Sequence, residues 1–195
     1  MFLLYLVTTI RPQIGTIEYT DYRQITIADL PGLIEGAHLN YGMGIKFLKH
    51  IERTRLIIIL IDIHDFQLND KFKKRNCLEI LFSINKEIEL YNETLLNKSC
   101  LLLINKMDLD DSLSKFNYYK KYFYNLSDGL KMCPNELKPK QLFNFHNIIP
   151  ISANNLNDVN GIKNVIRNIL DDNAEKDLMN DDIKIKLCES GPKVY

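Results

Sequence analysis

The chain has 195 residues, which suits one ordinary domain, and 46% of them are hydrophobic, so a core can form and disorder throughout is not expected. Its 25 basic and 25 acidic residues balance, which excludes a global positive field that would attract nucleic acid. The four cysteines show no C-x-x-C pairing, which favours reduced thiols in an intracellular protein over disulfides or a zinc site.

The chain begins with an apolar run, Phe2 to Val7, which is either a short buried strand or a hydrophobic start without a structural role. The run is far too short to span a bilayer and lacks the basic start and cleavage site of a signal peptide. The sequence therefore shows no transmembrane or targeting segment. Thr8 and Thr9 follow, and residues 14–19 and 24–29 then alternate and predict a hairpin.

Asp29 ends the second strand of this hairpin, and Gly32 follows after Leu30 and Pro31. A carboxylate at a strand end can hold a metal-bound water, and a glycine there leaves its N–H free to approach a phosphate oxygen. The glycine-rich segment that follows predicts a mobile loop, and residues 45–53 predict a helix.

One face of this predicted helix is basic, because Lys46, Lys49, His50 and Arg53 lie at positions i, i+3, i+4 and i+7. Two interpretations remain open for this basic stripe. It is either a solvated face or a contact with RNA or a partner protein.

Two apolar runs without alternation, residues 56–62 and 100–104, predict parallel strands that are buried on both faces. Residues 72–91 predict the helix between them. The second run delivers Asn105 at its carboxyl end, which is the end where open α/β sheets bind ligands.

The remaining elements are predicted as an aromatic-rich helix over 115–126, an irregular insertion over 127–145, a strand over 146–151 and a closing helix over 159–170. For the aromatic helix, packing against the core is favoured over a stacking platform for nucleic acid. From Asp171 onward the sequence is acidic and asparagine-rich, and it predicts a frayed tail.

Two loops carry side chains that can read a guanine base. In the Asn-Lys-Met-Asp segment at 105–108, Asp108 can accept hydrogen bonds from guanine N1–H and the N2 amino group, a donor pair that adenine lacks. Asn105 can bridge the base to neighbouring loops, and the Lys106 stem can lie over the ring. In the second loop, Ser152 can order the backbone so that the Ala153 N–H meets guanine O6.

The order of these motifs, Asp-Leu-Pro-Gly at 29–32, Asn-Lys-Met-Asp at 105–108 and Ser-Ala at 152–153, resembles that of GTPases. The amino-acid sequence from Ala28 to Arg55 closely resembles the corresponding segment of the Obg family. The resemblance implies an α/β fold, a P-loop NTPase-type G domain with a doubly wound, mostly parallel sheet and one antiparallel edge strand.

The resemblance also implies GTP or GDP and Mg²⁺ as cofactors, with Thr9 and Asp29 as the metal residues. Leu33 stands where Ras-type enzymes have a glutamine, so slow hydrolysis is expected and no catalytic residue is assigned. The implied nucleotide-binding residues are Thr8, Thr9, Asp29, Leu30, Pro31, Gly32, Asn105, Lys106, Met107, Asp108, Ser152, Ala153 and Asn154.

Two parts of the family pattern are missing from this sequence. It contains no G-x-x-x-x-G-K-[ST], the loop whose backbone and lysine cradle the β- and γ-phosphates, and no glycine-rich Obg domain. We therefore expect an N-terminally truncated, functionally impaired chain, with an incomplete G domain over 1–170 and a tail over 171–195.

Within the family, the amino-acid sequence of this chain most resembles that of a mitochondrial branch. The resemblance therefore implies a GTPase of large ribosomal subunit assembly that contacts the subunit precursor and its rRNA, in the mitochondrial matrix rather than the nucleolus or cytoplasm. The basic stripe at Lys46, Lys49, His50 and Arg53 is the candidate contact. The alternative is a non-hydrolysing pseudo-GTPase that docks on RNA or protein through the same helix.

The missing P-loop strand leaves a gap in the expected sheet, between the strand that ends at Asp29 and the strand that ends at Asp62. Two unpaired apolar edges would invite aggregation. We therefore predict that Phe2 to Val7 fills this gap and runs parallel to both neighbours.

Overall fold

The computed structural model describes residues 2–5, 13–30, 49–65 and 74–189. Within them, six strands form a single sheet in the order β2-β3-β1-β4-β5-β6. The strands are β1 Phe2–Tyr5, β2 Gln13–Glu18, β3 Gln24–Leu30, β4 Leu56–Asp62, β5 Ser99–Asn105 and β6 Phe145–Pro150. All neighbours pair in parallel except β2 and β3, which form an antiparallel hairpin at one edge.

Besides a helical end at residues 49–52, the described part of the chain contains the helices α1 Cys77–Tyr91, α2 Ser112–Tyr124, α3 Leu126–Lys131 and α4 Leu156–Glu189. Short 3₁₀ turns span Glu93–Asn97 and Asn135–Leu137. None of the described helices is both long and apolar enough to cross a membrane.

The central strands β4 and β5 are buried on both faces, as their continuous apolar sequence predicted. Ile57, Ile59 and Ile61 of β4 share a core with α1 and α2, whereas Ile58 and Leu60 share a second core with α4. This two-sided packing confirms the predicted doubly wound α/β fold with one antiparallel edge strand.

Strand β1 occupies the gap that the missing P-loop strand would leave. Phe2 pairs with Ala28 of β3 on one side and with Ile57 of β4 on the other, and both pairings are parallel. The prediction that the apolar start joins the sheet is therefore confirmed for Phe2–Tyr5, and the two central edges are paired.

Several predicted boundaries differ from the structure by a few residues, and three differences are larger. Helix α1 begins at Cys77, later than the predicted residue 72, because the Asn76 side chain caps it and Glu79 completes the capping box. The expected irregular segment 127–145 contains most of α3 and a 3₁₀ turn.

The third difference lies at the end of the chain. We predicted that the closing helix ends at Leu170 and a frayed tail follows, but α4 continues to Glu189. Contacts that a sequence pattern does not reveal hold its middle: Asp171 pairs with Arg23, and Asn173 accepts a hydrogen bond from Ser99 at 2.9 Å.

The predicted basic helix is described only near its end, where residues 49–52 are helical. Its last carbonyl groups are capped by one ammonium group, because Lys98 Nζ lies 3.0, 2.6 and 2.7 Å from the carbonyl oxygens of Ile51, Glu52 and Thr54. Lys49, His50 and Arg53 of the basic stripe are exposed, and Lys46 lies outside the described residues.

Candidate functional site

The predicted base-reading residues lie at the carboxyl ends of β5 and β6, the edge of a parallel sheet where ligands bind. Asn105 is the last residue of β5, and Ser152 follows β6 by two residues. Because β5 and β6 are hydrogen-bonded neighbours, their two loops emerge side by side. The backbone continues this pairing beyond the strands, since Met107 N donates to Ile151 O at 3.1 Å.

Side chains then join the two loops. The Ser152 hydroxyl donates to Asp108 Oδ1 at 2.7 Å, and the Ala153 N–H donates to Asn105 Oδ1 at 2.9 Å. Asn105 and Ser152 are both buried. The Asn-Lys-Met-Asp segment and the Ser-Ala pair, which lie more than forty residues apart in sequence, are thus one hydrogen-bonded unit.

Asp108 is the exposed, charged member of this unit. The hydrogen bond from Ser152 is the main cause that lowers the pKa of its carboxyl group below the ordinary value, so the group is a carboxylate at neutral pH. Asn154 Nδ2 lies 3.5 Å from the other oxygen, Oδ2. Oδ2 is therefore the less engaged acceptor and the better placed to receive donors from a base.

The Ala153 N–H has a different partner from the one expected. The Ala153 N–H, which we expected to meet guanine O6, donates to the Asn105 side chain in this structure. A base that bonds this N–H would have to share it with Asn105 or displace the Asn105 oxygen.

Two further groups fix the base-reading loops, and the sequence interpretation gave neither of them a role. Asp158, near the start of α4, accepts a hydrogen bond from the Ser152 N–H at 2.8 Å. Ser112, the first residue of α2, donates its hydroxyl to the Lys106 carbonyl at 2.7 Å. The sequence did offer a signal for both contacts, because each helix has an acidic or hydroxyl residue in its first turn, where such side chains commonly accept hydrogen bonds from nearby backbone groups or donate to them.

Asp62, the last residue of β4, was also missed. Its Oδ2 lies 2.6 Å from Lys106 Nζ, and its Oδ1 accepts the His64 backbone N–H at 2.9 Å. The signal in the sequence was a carboxylate at the end of a predicted strand, the same position that drew attention to Asp29.

The predicted phosphate and metal residues are only partly described. Asp29 and Leu30 end β3, and Asp29 pairs in register with Leu3 of β1 and Gln13 of β2. A half-buried carboxylate at this edge is a hard oxygen donor of the kind Mg²⁺ takes, so the residue present fits the ion. Thr8, Thr9, Pro31 and Gly32 lie outside the described residues.

An open cleft adjoins Asp108 between the two base-reading loops. Its volume is about 590 Å³, within the ordinary range of small-ligand sites, roughly 300–1,000 Å³. Its lining consists of Met107, Asp108, Ser152, Asn154, Asn155, Leu156 and Asp158.

Comparison with known proteins places the chain among its relatives. Residues 4–106, just over half of the chain, match the family described as 50S ribosome-binding GTPase. The chain is 52% identical over 182 residues to the GTP-binding protein 10 homolog of Drosophila melanogaster, which covers 93% of this chain and 48% of that protein. It is 45% identical over 173 residues to GTP-binding protein 10 of Homo sapiens, covering 89% of this chain and 45% of that protein.

A bacterial relative is more distant. GTPase Obg of Fusobacterium nucleatum is 37% identical over 130 residues, which cover 67% of this chain and 28% of that protein. This chain therefore spans less than half the length of each of these relatives. A matching family over half of the chain and the relatives named above confirm the predicted resemblance: this chain belongs to the 50S ribosome-binding GTPase family and is of the Obg type.

Proposed function

We propose that this chain binds guanine nucleotides, with the base held by Asn105, Lys106, Asp108, Ser152 and Ala153. One observation carries the proposal. The Ser152–Asp108 and Ala153–Asn105 hydrogen bonds, at 2.7 and 2.9 Å, join the two predicted base-reading loops into one preformed unit.

The choice of guanine follows from donors and acceptors. Asp108 is ionised and therefore accepts only, so it matches the N1–H and N2 amino donors of guanine. Adenine presents an unprotonated N1 and no amino group at C2. Hydrogen bonds to a charged group contribute about 1.5–3 kcal/mol each, which is enough to separate the two purines by a large factor.

Apart from Thr9, the proposed residues for magnesium and the phosphates lie in sequence at or after the carboxyl end of β3, whereas the base-reading residues lie at or after the carboxyl ends of β5 and β6. In this proposal Asp29 and Thr9 would hold the ion, and the Gly32 N–H would be the donor to the γ-phosphate. The ion supplies charge neutralisation at the phosphate oxygens when it is bound. Slow GTP hydrolysis, expected because Leu33 cannot orient a water, is proposed as the accompanying activity.

Guanine binding by this chain is tested by titrating GDP and ADP into purified residues 1–195. The readout is ¹H–¹⁵N NMR, because the affinity is expected to be low without a phosphate cradle. We expect GDP to shift the amides of residues 105–108 and 152–154, and ADP to leave them unmoved. Equal shifts from both nucleotides, or none from GDP, would contradict the proposal.

We further propose a role in assembly of the large ribosomal subunit, in the mitochondrial matrix, with contact to the subunit precursor and its rRNA. The supporting observations are the 50S ribosome-binding description of the matching family and the likeness to GTP-binding protein 10. The exposed Lys49, His50 and Arg53, next to Lys46 in sequence, form the candidate contact.

This contact is tested by reversing Lys46, Lys49 and Arg53 to Glu and measuring co-sedimentation with large-subunit particles. We expect weaker association, and a larger loss at low salt, because phosphate contacts release counterions. The matched control reverses Lys120, Lys121 and Lys176, three exposed lysines elsewhere. If both triple variants bind like the wild type, the stripe is a solvated face.

The second candidate is a non-hydrolysing module that docks on RNA or protein. It is favoured by the lack of a G-x-x-x-x-G-K-[ST] segment in these 195 residues. Particle binding that is insensitive to GDP and GTP would select this module over the GTPase.

A further inference from the structure

We propose that Asp62 is a positioning residue of the guanine pocket, which holds the Lys106 ammonium group so that the Lys106 stem lies against the face of the base. The inference rests on the proposed guanine-binding function. It adds a residue outside both base-reading loops to the machinery that reads the base.

The ion pair joins two strand ends at one level of the sheet. Asp62 and Asn105 are register partners in the parallel pair β4–β5, so the residue after Asn105 emerges beside Asp62. Lys106 Nζ lies 2.6 Å from Asp62 Oδ2, and the Asp62 side chain is only 15% exposed. The Lys106 side chain is 44% exposed, so solvent screens the pair in part, and its geometry rather than its burial carries the argument.

Lys106 is also fixed at its backbone. Its φ of 67° lies in the left-handed region, which a lysine rarely adopts unless its surroundings impose it. Its carbonyl accepts from the Ser112 hydroxyl at 2.7 Å and from the Leu109 N–H at 3.3 Å. With backbone and ammonium group both held, the aliphatic stem between them has few conformations left, and a base meets it preorganised.

Asp62 itself is held by His64. The His64 backbone N–H and ring Nδ1 lie 2.9 and 3.3 Å from Asp62 Oδ1, the oxygen that Lys106 does not use. The other ring nitrogen, Nε2, lies 3.3 Å from the Asp110 carbonyl oxygen, two residues beyond Asp108. The carboxylate therefore has one oxygen for orientation and one for Lys106, and its support reaches the base-reading loop.

The test is a double-mutant cycle on GDP affinity, measured by NMR titration of residues 1–195. Asp62→Asn removes the charge at constant shape, and Lys106→Met keeps the stem but removes the ammonium group. We expect Asp62→Asn to weaken GDP binding about tenfold in the wild-type background and to have almost no further effect in Lys106→Met, because contacting residues couple. The matched control, Asp65→Asn, removes a carboxylate in the same loop that pairs with Lys74 and not with Lys106.

The outcomes separate this inference from the proposed function. If the wild type does not bind GDP, the proposed function fails first. If the wild type binds and Asp62→Asn binds equally well, or loses the same factor in both backgrounds, the positioning role is wrong. If Asp62→Asn does not fold, Asp62→Glu, which keeps the charge but displaces it by one methylene, takes its place in the same cycle.

Discussion

At the scale of single residues, the proposed guanine site depends on Asp108, and neighbouring residues keep its carboxyl group ionised and oriented. The hydrogen bond from Ser152 lowers the pKa of its carboxyl group, and Asn154 lies beside the second oxygen. The carboxylate is thus ionised and oriented by contacts within the protein. Changing its hydrogen-bonding character should change the preferred base without disturbing the fold.

We predict that Asp108→Asn converts the pocket from guanine to xanthine. The amide oxygen still accepts the N1–H, but the amide nitrogen donates, and xanthine carries a carbonyl oxygen where guanine has the N2 amino group. The measurement is titration with GDP and xanthosine diphosphate, and we expect the preference to reverse. A variant that still prefers GDP would show that Asp108 does not read the base.

Asp111→Asn is the control for this substitution. Asp111 lies three residues away and caps α2 without a side-chain hydrogen bond, and its φ of 63° suits asparagine as well as aspartate. The control loses the same charge near the pocket, and we expect it to keep the preference for GDP.

At the scale of elements, the β2–β3 hairpin is fastened to the closing helix α4. The Tyr19 hydroxyl donates to the Lys163 carbonyl at 2.7 Å, Arg167 Nη1 lies 3.0 Å from Asp21 Oδ1, and Arg23 pairs with Asp171. These contacts join segments more than 140 residues apart in the chain. They hold the hairpin, whose strand β2 is the edge of the sheet, against α4.

We predict that Arg167→Met lowers the melting temperature at neutral pH, and that the difference from the wild type shrinks in acid. The hydrogen bond from Arg167 is the main cause that lowers the pKa of Asp21 in the folded chain. Such a group stabilises the fold above its unfolded pKa, about 3.9, and loses that contribution as the pH falls through its folded value.

Thermal denaturation at pH 7 and at about pH 3 checks this prediction, with Lys176→Met, an exposed change on the same helix, as the control. A melting-temperature difference that stays constant with pH would mean that Arg167 acts through packing over the Tyr19 ring, whose centroid lies 5.2 Å from the guanidinium carbon.

Strand β1 joins the two halves of the sheet, because it pairs with β3 on one side and with β4 on the other. We predict that Leu3→Pro destabilises the fold and promotes aggregation, because a proline in a central strand removes a ladder hydrogen bond and leaves a buried carbonyl without its donor, at about 1–3 kcal/mol. Urea denaturation and the soluble fraction on expression measure the effect. Leu3→Val keeps the N–H and is expected to behave like the wild type. Equal stability of the two variants would mean that β1 adds little to the sheet.

At the scale of the whole molecule, the sheet is complete but the phosphate cradle is not. The first strand restores the pairing of β3 and β4, yet no glycine-lysine loop is present in the 195 residues to bind the β- and γ-phosphates. Under the proposed function, these 195 residues carry base recognition without the phosphate-binding loop that P-loop GTPases combine with it.

We therefore predict that residues 1–195 bind GMP, GDP and GTP with affinities within about tenfold of each other, because most of the gain from added phosphates comes from the cradle. Competition NMR titrations in the presence of Mg²⁺ measure the three affinities. Binding of GTP a hundredfold tighter than that of GMP would show that other residues of the chain bind the phosphates.

The sequence by itself determined the motif-bearing loops and the buried strands. Asn105, Asp108 and Ser152 could be identified because their chemistry depends on a few neighbouring residues, and β4 and β5 because burial on both faces requires an unbroken apolar run. The place of β1 also followed, since two apolar edges need a partner of strand length.

Only the tertiary structure decided the contacts that join distant segments. The Asp62–Lys106 pair exists because β4 and β5 lie in register, and α4 continues past Leu170 because Arg23 and Ser99 hold Asp171 and Asn173. Each of these depends on which strands and helices become neighbours. Packing over the whole sheet determines which strands and helices become neighbours, and a local sequence pattern does not predict this.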